Sequence, residues 1–346
     1  MVVIAGANGS GKTNLLEAIS FLAPGRGLRG ARIPDIATSA TGAWAAHGRF
    51  DTPDGPTEIG TGTTDEAPDR RIFRLDGAAP RNQAEIASRV ATIWLTPQMD
   101  RLFQEGLSGR RRFLDRLVYA IEPGHAREVS AFETAIAGRN RLLGEGRRDA
   151  AWLSGLEDQI ARHAVSVTAA RQSLITALNA ALANGIAGRF PAAKLTLLSA
   201  IADRLATGPA LAVEDWLRSQ LEADRPRDAA AGATTFGAHR DDLALADLET
   251  GLPAAQASTG QQKALLIGVI LGHAGLLTSA RGTAPILLLD EPATHLDPGR
   301  RQDLFAALQS LPAQVFLTGT DSETFQPLRG IATFWRTGSN ALHADP

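Results

Sequence analysis

Apolar residues fall into two regimes along this chain. Towards both ends they form short continuous runs: Met1–Ala5 (MVVIA), Val90–Leu95, Pro285–Asp290 (PILLLD) and Gln314–Thr320 (QVFLTGT). Such runs suit strands of a parallel sheet covered on both faces. Thr41–Arg49 and Arg71–Leu75 also read as strands, and the polar, turn-rich stretch Asp51–Asp69 between them as a loop or hairpin. Asn14–Leu22 reads as a helix. From about residue 104 to 232 the strand signals vanish. Leu153, Leu156, Ile160, Val167, Leu174, Leu178 and Leu182 recur there at helical steps of three, four or seven. The pattern predicts an α/β domain split in sequence, residues 1–103 and 233–346, with an inserted α-helical arm or lid at 104–232. That these are ordinary core helices of the same domain stays open at this level.

The segment between the first strand and the first helix changes the picture most. Gly6–Thr13 reads GANGSGKT, the G-x-x-x-x-G-K-[ST] phosphate loop. In such a loop the backbone N–H groups of Gly6, Ala7, Asn8, Gly9, Ser10 and Gly11 cradle phosphate oxygens. Lys12 reaches the terminal phosphates, Thr13 offers a hydroxyl to Mg²⁺, and Asn14 opens the helix beyond. A strand before and a helical run after are the context the motif requires. The chain is therefore expected to bind ATP with Mg²⁺.

Composition narrows the classes. The chain has 346 residues and is 44% hydrophobic, enough for a sizeable core or two domains. It has no cysteine, hence no disulfide framework and no thiolate metal site. No continuous apolar run reaches membrane-span length and no signal peptide is visible, so a cytoplasmic protein without a membrane partner is expected. The net charge of −2 supplies no global attraction to nucleic acid. Only three lysines occur, Lys12, Lys194 and Lys263. One lies in the phosphate loop and another follows a Gly-Gln-Gln tripeptide. The seven histidines show no ligand-like spacing.

The strand ILLLD ends in Asp290–Glu291. A carboxylate at the end of a buried strand is where a triphosphatase holds Mg²⁺, and the glutamate beside it can polarise the attacking water. Upstream, Ala257–Lys263 (ASTGQQK) opens a second helical run, placing Ser258, Thr259 and Gly260 where free helix N–H groups can meet an anion. A plain helix cap is the competing reading. A chain with one phosphate loop has no need of a second anion site for itself, which points to the nucleotide of a second copy.

These parts resemble an ATP-binding-cassette (ABC) ATPase, in which two protomers sandwich two ATPs between phosphate loop and signature motif. The resemblance implies that Gln98, in WLTPQMD, senses Mg²⁺ and the γ-phosphate. It also implies that Asp297, in ATHLDPGRR, and Gln261 contact the dimer-borne nucleotide. Lys12 and Asp290 lie 278 positions apart, far more than in transporter-type ATPases. The insert is too short for the very long coiled coils of SMC and Rad50 proteins. The strings GANGSGKTNLLEAISFLAPGRGLR, WLTPQMDRLFQEGLSGRRRFLDRL, Arg139–Leu143 (RNRLL), Phe236–Leu243 (FGAHRDDL), STGQQK and LLLDEPATHLD resemble, in order, the RecF family of bacterial DNA replication and repair proteins. That resemblance implies an ATP-driven homodimer that binds gapped or junction DNA, hydrolyses ATP slowly and acts with RecO and RecR to load RecA. The fold expected is an α/β P-loop ABC-type ATPase head with an inserted helical arm. Family chains carry further strands before the phosphate-loop strand, and these are expected to be missing here. Thr318–Asp321 (TGTD) occupies the place where cassette transporters carry a histidine. Another SMC-like DNA ATPase, or a transporter-type subunit, is the alternative.

Arginines can pair with phosphate. Arg26, Arg29 and Arg32 follow the phosphate-loop helix, and Arg110, Arg111 and Arg112 open the FLDRL helix. They are candidates for contact with DNA, set against internal salt bridges or a solvated face. For His239, Arg240, Asp241 and Asp242 the resemblance implies a dimer-face or arm-junction motif; the bland alternative is a satisfied structural cluster.

Overall fold

The computed structural model describes residues 1–37, 42–52, 55–146, 149–338 and 341–345. The chain begins with β1 (Val2–Ala5), the glycine-rich loop and α1 (Lys12–Ser20). Three antiparallel strands follow, β2 (Ala45–Thr52), β3 (Gly55–Thr64) and β4 (Ala67–Leu75), then α2 (Gln83–Arg89) and β5 (Thr92–Leu95). A 3-10 turn at Pro97–Arg101 leads to α3 (Leu107–Ile121), α4 (His125–Gly144) and α5 (Ala150–Ala183). Next come β6 (Ala193–Leu198), α6 (Ala200–Leu205), α7 (Ala210–Ala223), α8 (Arg225–Ala231) and β7 (Asp242–Asp247). The chain closes with α9 (Thr259–Arg281), β8 (Ile286–Leu289), α10 (Pro298–Ser310), β9 (Val315–Gly319), β10 (Thr333–Gly338) and β11 (Ala341–Ala344). Two compact units result: residues 1–100, 184–192 and 258–346 form the head, and 101–183 and 193–257 the arm.

The head is built on a six-stranded sheet in the order β11-β10-β1-β9-β8-β5. All neighbours are parallel except β10 and β11. Alternation along β8 sends Ile286 and Leu288 to one face, where they cluster with Leu16 of α1, Ile59 of β3, Phe73 of β4 and Ile86 of α2. Each such side chain, fully buried, contributes about 1.5–3 kcal/mol. The small antiparallel sheet β2-β3-β4 thus shares a core with the phosphate-loop helix.

Helix α9 passes a length-and-composition test for a membrane span, yet 72% of its most apolar window is buried inside the head. Two of its glycines let the 184–192 segment approach. A Cβ at Gly268 would stand 3.0 Å from the Pro191 carbonyl, and one at Gly275 would stand 2.6 Å from Ile186 Cδ1. That packing explains why nine residues expected within the arm belong to the head.

The arm departs from the all-helical expectation. β6 pairs antiparallel with β7, from Ala193 opposite Asp247 to Leu198 opposite Asp242. Ala193, Leu195 and Leu197 alternate buried with exposed Lys194, Thr196 and Leu198, a period-two signal overlooked among helical repeats. Because β7 is held by β6, residues 233–257 and the FGAHRDDL string fall in the arm, not in the head as expected. Of the two readings of Asp51–Asp69, loop or hairpin, the hairpin is the one found: β3 and the start of β4 occupy most of it and pair antiparallel. Pro53 and Asp54 of that stretch, and Thr41 of the predicted strand, lie outside the described residues.

The arm's longest element is α5, 34 residues and, at 1.5 Å per residue, about 50 Å long. Ile160, Ala164 and Val167 on it meet Phe132 of α4 and Val213, Leu217 and Leu221 of α7. Arg139, with no solvent exposure, crosses this core: it donates to Glu157 Oε1 at 3.0 Å, Asp228 Oδ2 at 2.7 Å and Thr234 Oγ1 at 2.9 Å. A charge so buried is tolerable only when paired on several sides.

Candidate nucleotide-binding site

The parallel register assembles the site. Ala5 at the end of β1 lies opposite Gly319 of β9, and Leu317 of β9 lies opposite Leu289 of β8. The next residues, Gly6, Thr318 and Asp290, therefore meet at the carboxyl ends of adjacent strands, the general location of ligand sites in open α/β sheets. Leu95 of β5 lies opposite Leu289, which brings the turn carrying Gln98 to the same edge. Gln98 is exposed there, in the 3-10 turn after β5.

The phosphate loop is open to solvent: Ala7, Asn8 and Gly9 are exposed. Gly9 (φ 77°) and Gly11 (φ 94°) take left-handed backbone angles, which is why glycine is needed at both. Lys12 is 5% exposed, and its ammonium donates to the carbonyls of Gly6 at 2.7 Å and Ala7 at 2.9 Å. Asn14 begins the exposed side of α1, where its Oδ1 accepts from Arg29 at 2.7 Å.

Thr13 Oγ1 donates to Asp290 Oδ2 at 2.9 Å across 277 positions of sequence. The other carboxylate oxygen, Oδ1, accepts the Thr318 hydroxyl at 2.6 Å. Glu291 carries a left-handed backbone (φ 49°), uncommon for a residue with a side chain. Both its backbone groups are held: its N–H donates to Thr318 Oγ1 at 3.0 Å, and its carbonyl accepts Lys263 Nζ at 3.0 Å. A pocket of about 140 Å³ opens beside Glu291, lined also by Thr318, His295, Arg301 and Thr320.

Lys263 reaches this point from α9 and also pairs with Asp100 Oδ2 at 3.3 Å. Burial pushes the Lys263 ammonium below its ordinary value and the Asp100 carboxyl above its own, each opposed by the other's charge. In sequence Lys263 stands out as a rare lysine in ASTGQQK and Thr318 as the start of TGTD, while Asp100 carries no signal of its own; the partners of the Thr318 hydroxyl depend on the β8–β9 register.

Ser258, Gly260 and Gln261 lie at the start of α9, and Asp297 at the start of α10. Ser258 and Gln261 form a capping box at the exposed start of α9: Gln261 N donates to Ser258 Oγ at 3.3 Å and Ser258 N to Gln261 Oε1 at 2.9 Å. A Cβ on Gly260 would stand 2.9 Å from the His295 carbonyl, so the motif's glycine permits a close approach. Asp297 caps α10 through Arg300 N at 2.9 Å and is itself exposed. At Ser258 the helix-cap reading is met by the two capping-box bonds, and the Gln262 N–H is taken by the Ser258 carbonyl at 2.8 Å.

The arginine candidates divide. Arg110 is engaged inside the arm, its guanidinium on Asp242 at 2.6 Å with 12% of the side chain exposed. Arg111 donates to the Asp241 carbonyl at 3.0 Å. Both thus make ties inside the arm, the alternative weighed against DNA contact: Arg110 through a two-point pair with Asp242, Arg111 through one nitrogen. Arg26, Arg29, Arg32 and Arg112 are exposed. His239 and Asp241 belong to a structural cluster, with His239 Nε2 on the Thr234 carbonyl at 2.8 Å and Asp241 paired with Arg171 at 3.0 Å.

A parallel sheet with a phosphate loop after β1, a carboxylate pair after β8 and a separate helix opening on Ser258 define a P-loop ATPase head of the ABC type. Residues 1–336 match the family model described as the RecF/RecN/SMC N terminal domain. The chain belongs to the RecF family of DNA replication and repair proteins. It is 47% identical to the DNA replication and repair protein RecF of Mesorhizobium japonicum over 337 residues, covering 96% of this chain and 89% of that one. It is 46% identical to the RecF of Agrobacterium fabrum over 350 residues, covering 99% and 92%. Among solved structures, the recombination mediator protein RecF-ATPrS in the RecFOR pathway matches with a TM-score of 0.86 at 21% identity, covering 100% of this chain and 92% of that chain. An SmcHead bound to the C-winged helix domain of ScpA matches at 0.53 and 13%, covering 99% and 89%. The structural likenesses speak for the fold alone.

Proposed function

We propose that the chain is an ATP-dependent DNA-binding protein of recombinational repair and replication restart, working in the cytoplasm. ATP joins two copies, the dimer binds gapped or junction DNA, and with RecO and RecR it helps load RecA. Slow hydrolysis of ATP to ADP and phosphate resets it. The observation that carries the nucleotide half of this reading is the Thr13–Asp290 contact at the mouth of the phosphate loop. The family relatives, named for DNA replication and repair, carry the DNA half.

The residues fit Mg²⁺. That ion takes one or two protein oxygens and leaves its other positions to phosphates and water. A hydroxyl and a carboxylate 2.9 Å apart make such a partial donor set. Among the described residues no group of three or more His, Asp or Glu could hold a metal alone, so the ion arrives with the nucleotide. Bound there, Mg²⁺ neutralises charge on the β- and γ-phosphates.

In this reading the chain's own residues divide the work. The open loop N–H groups bind phosphate, and Lys12 leaves the Gly6 and Ala7 carbonyls for the terminal phosphates. Glu291 accepts a proton from the attacking water, with the adjoining pocket as the space for it. Gln98 orients the γ-phosphate from the next strand. Ser258, Gly260 and Gln261 of the second copy, with Asp297, complete the site from the far side of the nucleotide.

The test is gel-shift binding to gapped duplex, paired with size-exclusion analysis, with and without ATP. Glu291→Gln should accumulate an ATP-bound dimer, and Lys12→Met should form none. A dimer that forms equally well without ATP, or rapid turnover by the glutamine variant, would refute the switch.

A further inference from the structure

The phosphate loop is held on both flanks by neighbouring strands. On the β9 side Gly6 N donates to the Gly319 carbonyl at 3.1 Å. On the other side stands Thr337 of β10, more than three hundred positions away in sequence. β1 and β10 run parallel with Ala5 opposite Arg336, so Thr337 lies beside Gly6 where the loop leaves the sheet. Its hydroxyl is 2.6 Å from Ser10 Oγ, in the middle of the loop. The same hydroxyl donates to the Ala5 carbonyl at 3.3 Å. With that proton committed, Ser10 is the donor and Thr337 the acceptor. The absence of a side chain at Gly6 leaves the room: a Cβ there would stand 2.0 Å from Thr337 Oγ1 and 3.0 Å from Ser10 Oγ.

A loop with glycines at positions 9 and 11 loses much backbone entropy when ordered. Few other contacts oppose that freedom. Ser10 N reaches the Ala7 carbonyl at 3.2 Å, and the Lys12 ammonium, which has to turn towards phosphate, holds the Gly6 and Ala7 carbonyls. The Ser10–Thr337 bond ties the loop's centre to a neighbouring strand without depending on Lys12.

We propose that Thr337 is a positioning residue for the phosphate loop: by accepting the Ser10 hydroxyl it pre-forms the loop for phosphate, so strand β10 sets nucleotide affinity. The inference rests on the nucleotide reading above and adds to it a residue outside every recognised motif. Pre-forming a loop lowers the ordering cost of binding and leaves the chemical step alone.

The experiment measures MgATP dissociation constants and steady-state hydrolysis on the full chain. The variants are Thr337→Val, Thr337→Ser, Ser10→Ala and the Ser10→Ala/Thr337→Val double. Valine keeps the β-branched shape and removes the hydroxyl, so the thermal midpoint should stay close to wild type. MgATP binding by Thr337→Val should weaken about five-fold, the worth of one net hydrogen bond. KM should rise with it, kcat should hold, and Thr337→Ser should bind like wild type. The double variant should match either single variant, as expected when both act through one bond. Wild-type binding of MgATP with equal binding by Thr337→Val, or additive losses in the double variant, overturns the inference alone. Failure of the wild type to bind MgATP overturns the nucleotide reading and this inference together.

Discussion

Thr318 donates its hydroxyl to Asp290 Oδ1 at 2.6 Å, and the Thr318 hydroxyl oxygen in turn accepts the backbone N–H of Glu291, the residue after Asp290, at 3.0 Å. One hydroxyl thus orients the carboxylate that faces Thr13 and pins the strained residue beside it. Thr318→Val should lower ATP turnover by about ten-fold, the usual lower range for losing a partner that orients a ligand group. Folding should change little, since valine fits the same buried strand position. Single-turnover hydrolysis with the thermal midpoint measured in parallel checks both. An unchanged rate would show that Asp290 holds its orientation without help.

Lys263 and Asp100 form an ion pair in which both side chains are almost fully buried. Lys263→Met should destabilise the protein by about 3–5 kcal/mol, because it leaves a buried carboxylate unpaired. Adding Asp100→Leu should recover most of that loss. Turnover should stay low in the double variant, since the Glu291 carbonyl has still lost its donor. Urea melts and ATPase assays on the two variants separate these effects, and full recovery of turnover would reduce Lys263 to a packing role.

Arg112 is exposed, whereas its neighbour Arg110 is bound to Asp242. If Arg112 and Arg26 meet DNA phosphates, Arg112→Ala and Arg26→Ala should each reduce the slope of log K against log salt by about one. Arg110→Ala should lower the thermal midpoint and leave that slope unchanged. Binding to gapped duplex at several salt concentrations checks the assignment. A slope change from Arg110→Ala instead would reverse it.

His239 gives its Nε2 proton to the Thr234 carbonyl, and its buried Nδ1 has no partner to receive a second charge. Burial, with Arg240 and Arg111 nearby, holds its pKa below the ordinary 6.5. The unfolded chain therefore takes up this proton first as pH falls. The stability tied to neutral His239 is fully present above pH 6.5 and is lost as pH drops from there through the folded value. Thermal midpoints between pH 7.5 and 5.5 should fall more steeply in wild type than in His239→Gln. Parallel slopes would remove His239 from the pH response.

What sequence alone determined here are the features written in contiguous residues. The phosphate loop, the buried runs ending at Ala5, Leu95, Leu289 and Gly319, and the helical spacing from Leu153 to Leu182 depend on neighbours and on periodicities of two and 3.6. They were legible because backbone geometry repeats locally. Tertiary structure alone decided the pairings that set the chemistry. Thr13 meets Asp290, Thr318 orients it, Lys263 braces Glu291 and Thr337 holds Ser10 only because the parallel register of β10, β1, β9 and β8 aligns their carboxyl ends. The same holds for pairings that no local pattern carries. The β6–β7 pair draws residues 233–257 into the arm, and Asp242 takes up Arg110, through contacts whose partners lie far apart in sequence. A spacing rule reads a helix or a strand; it carries no information on which strand will lie beside it.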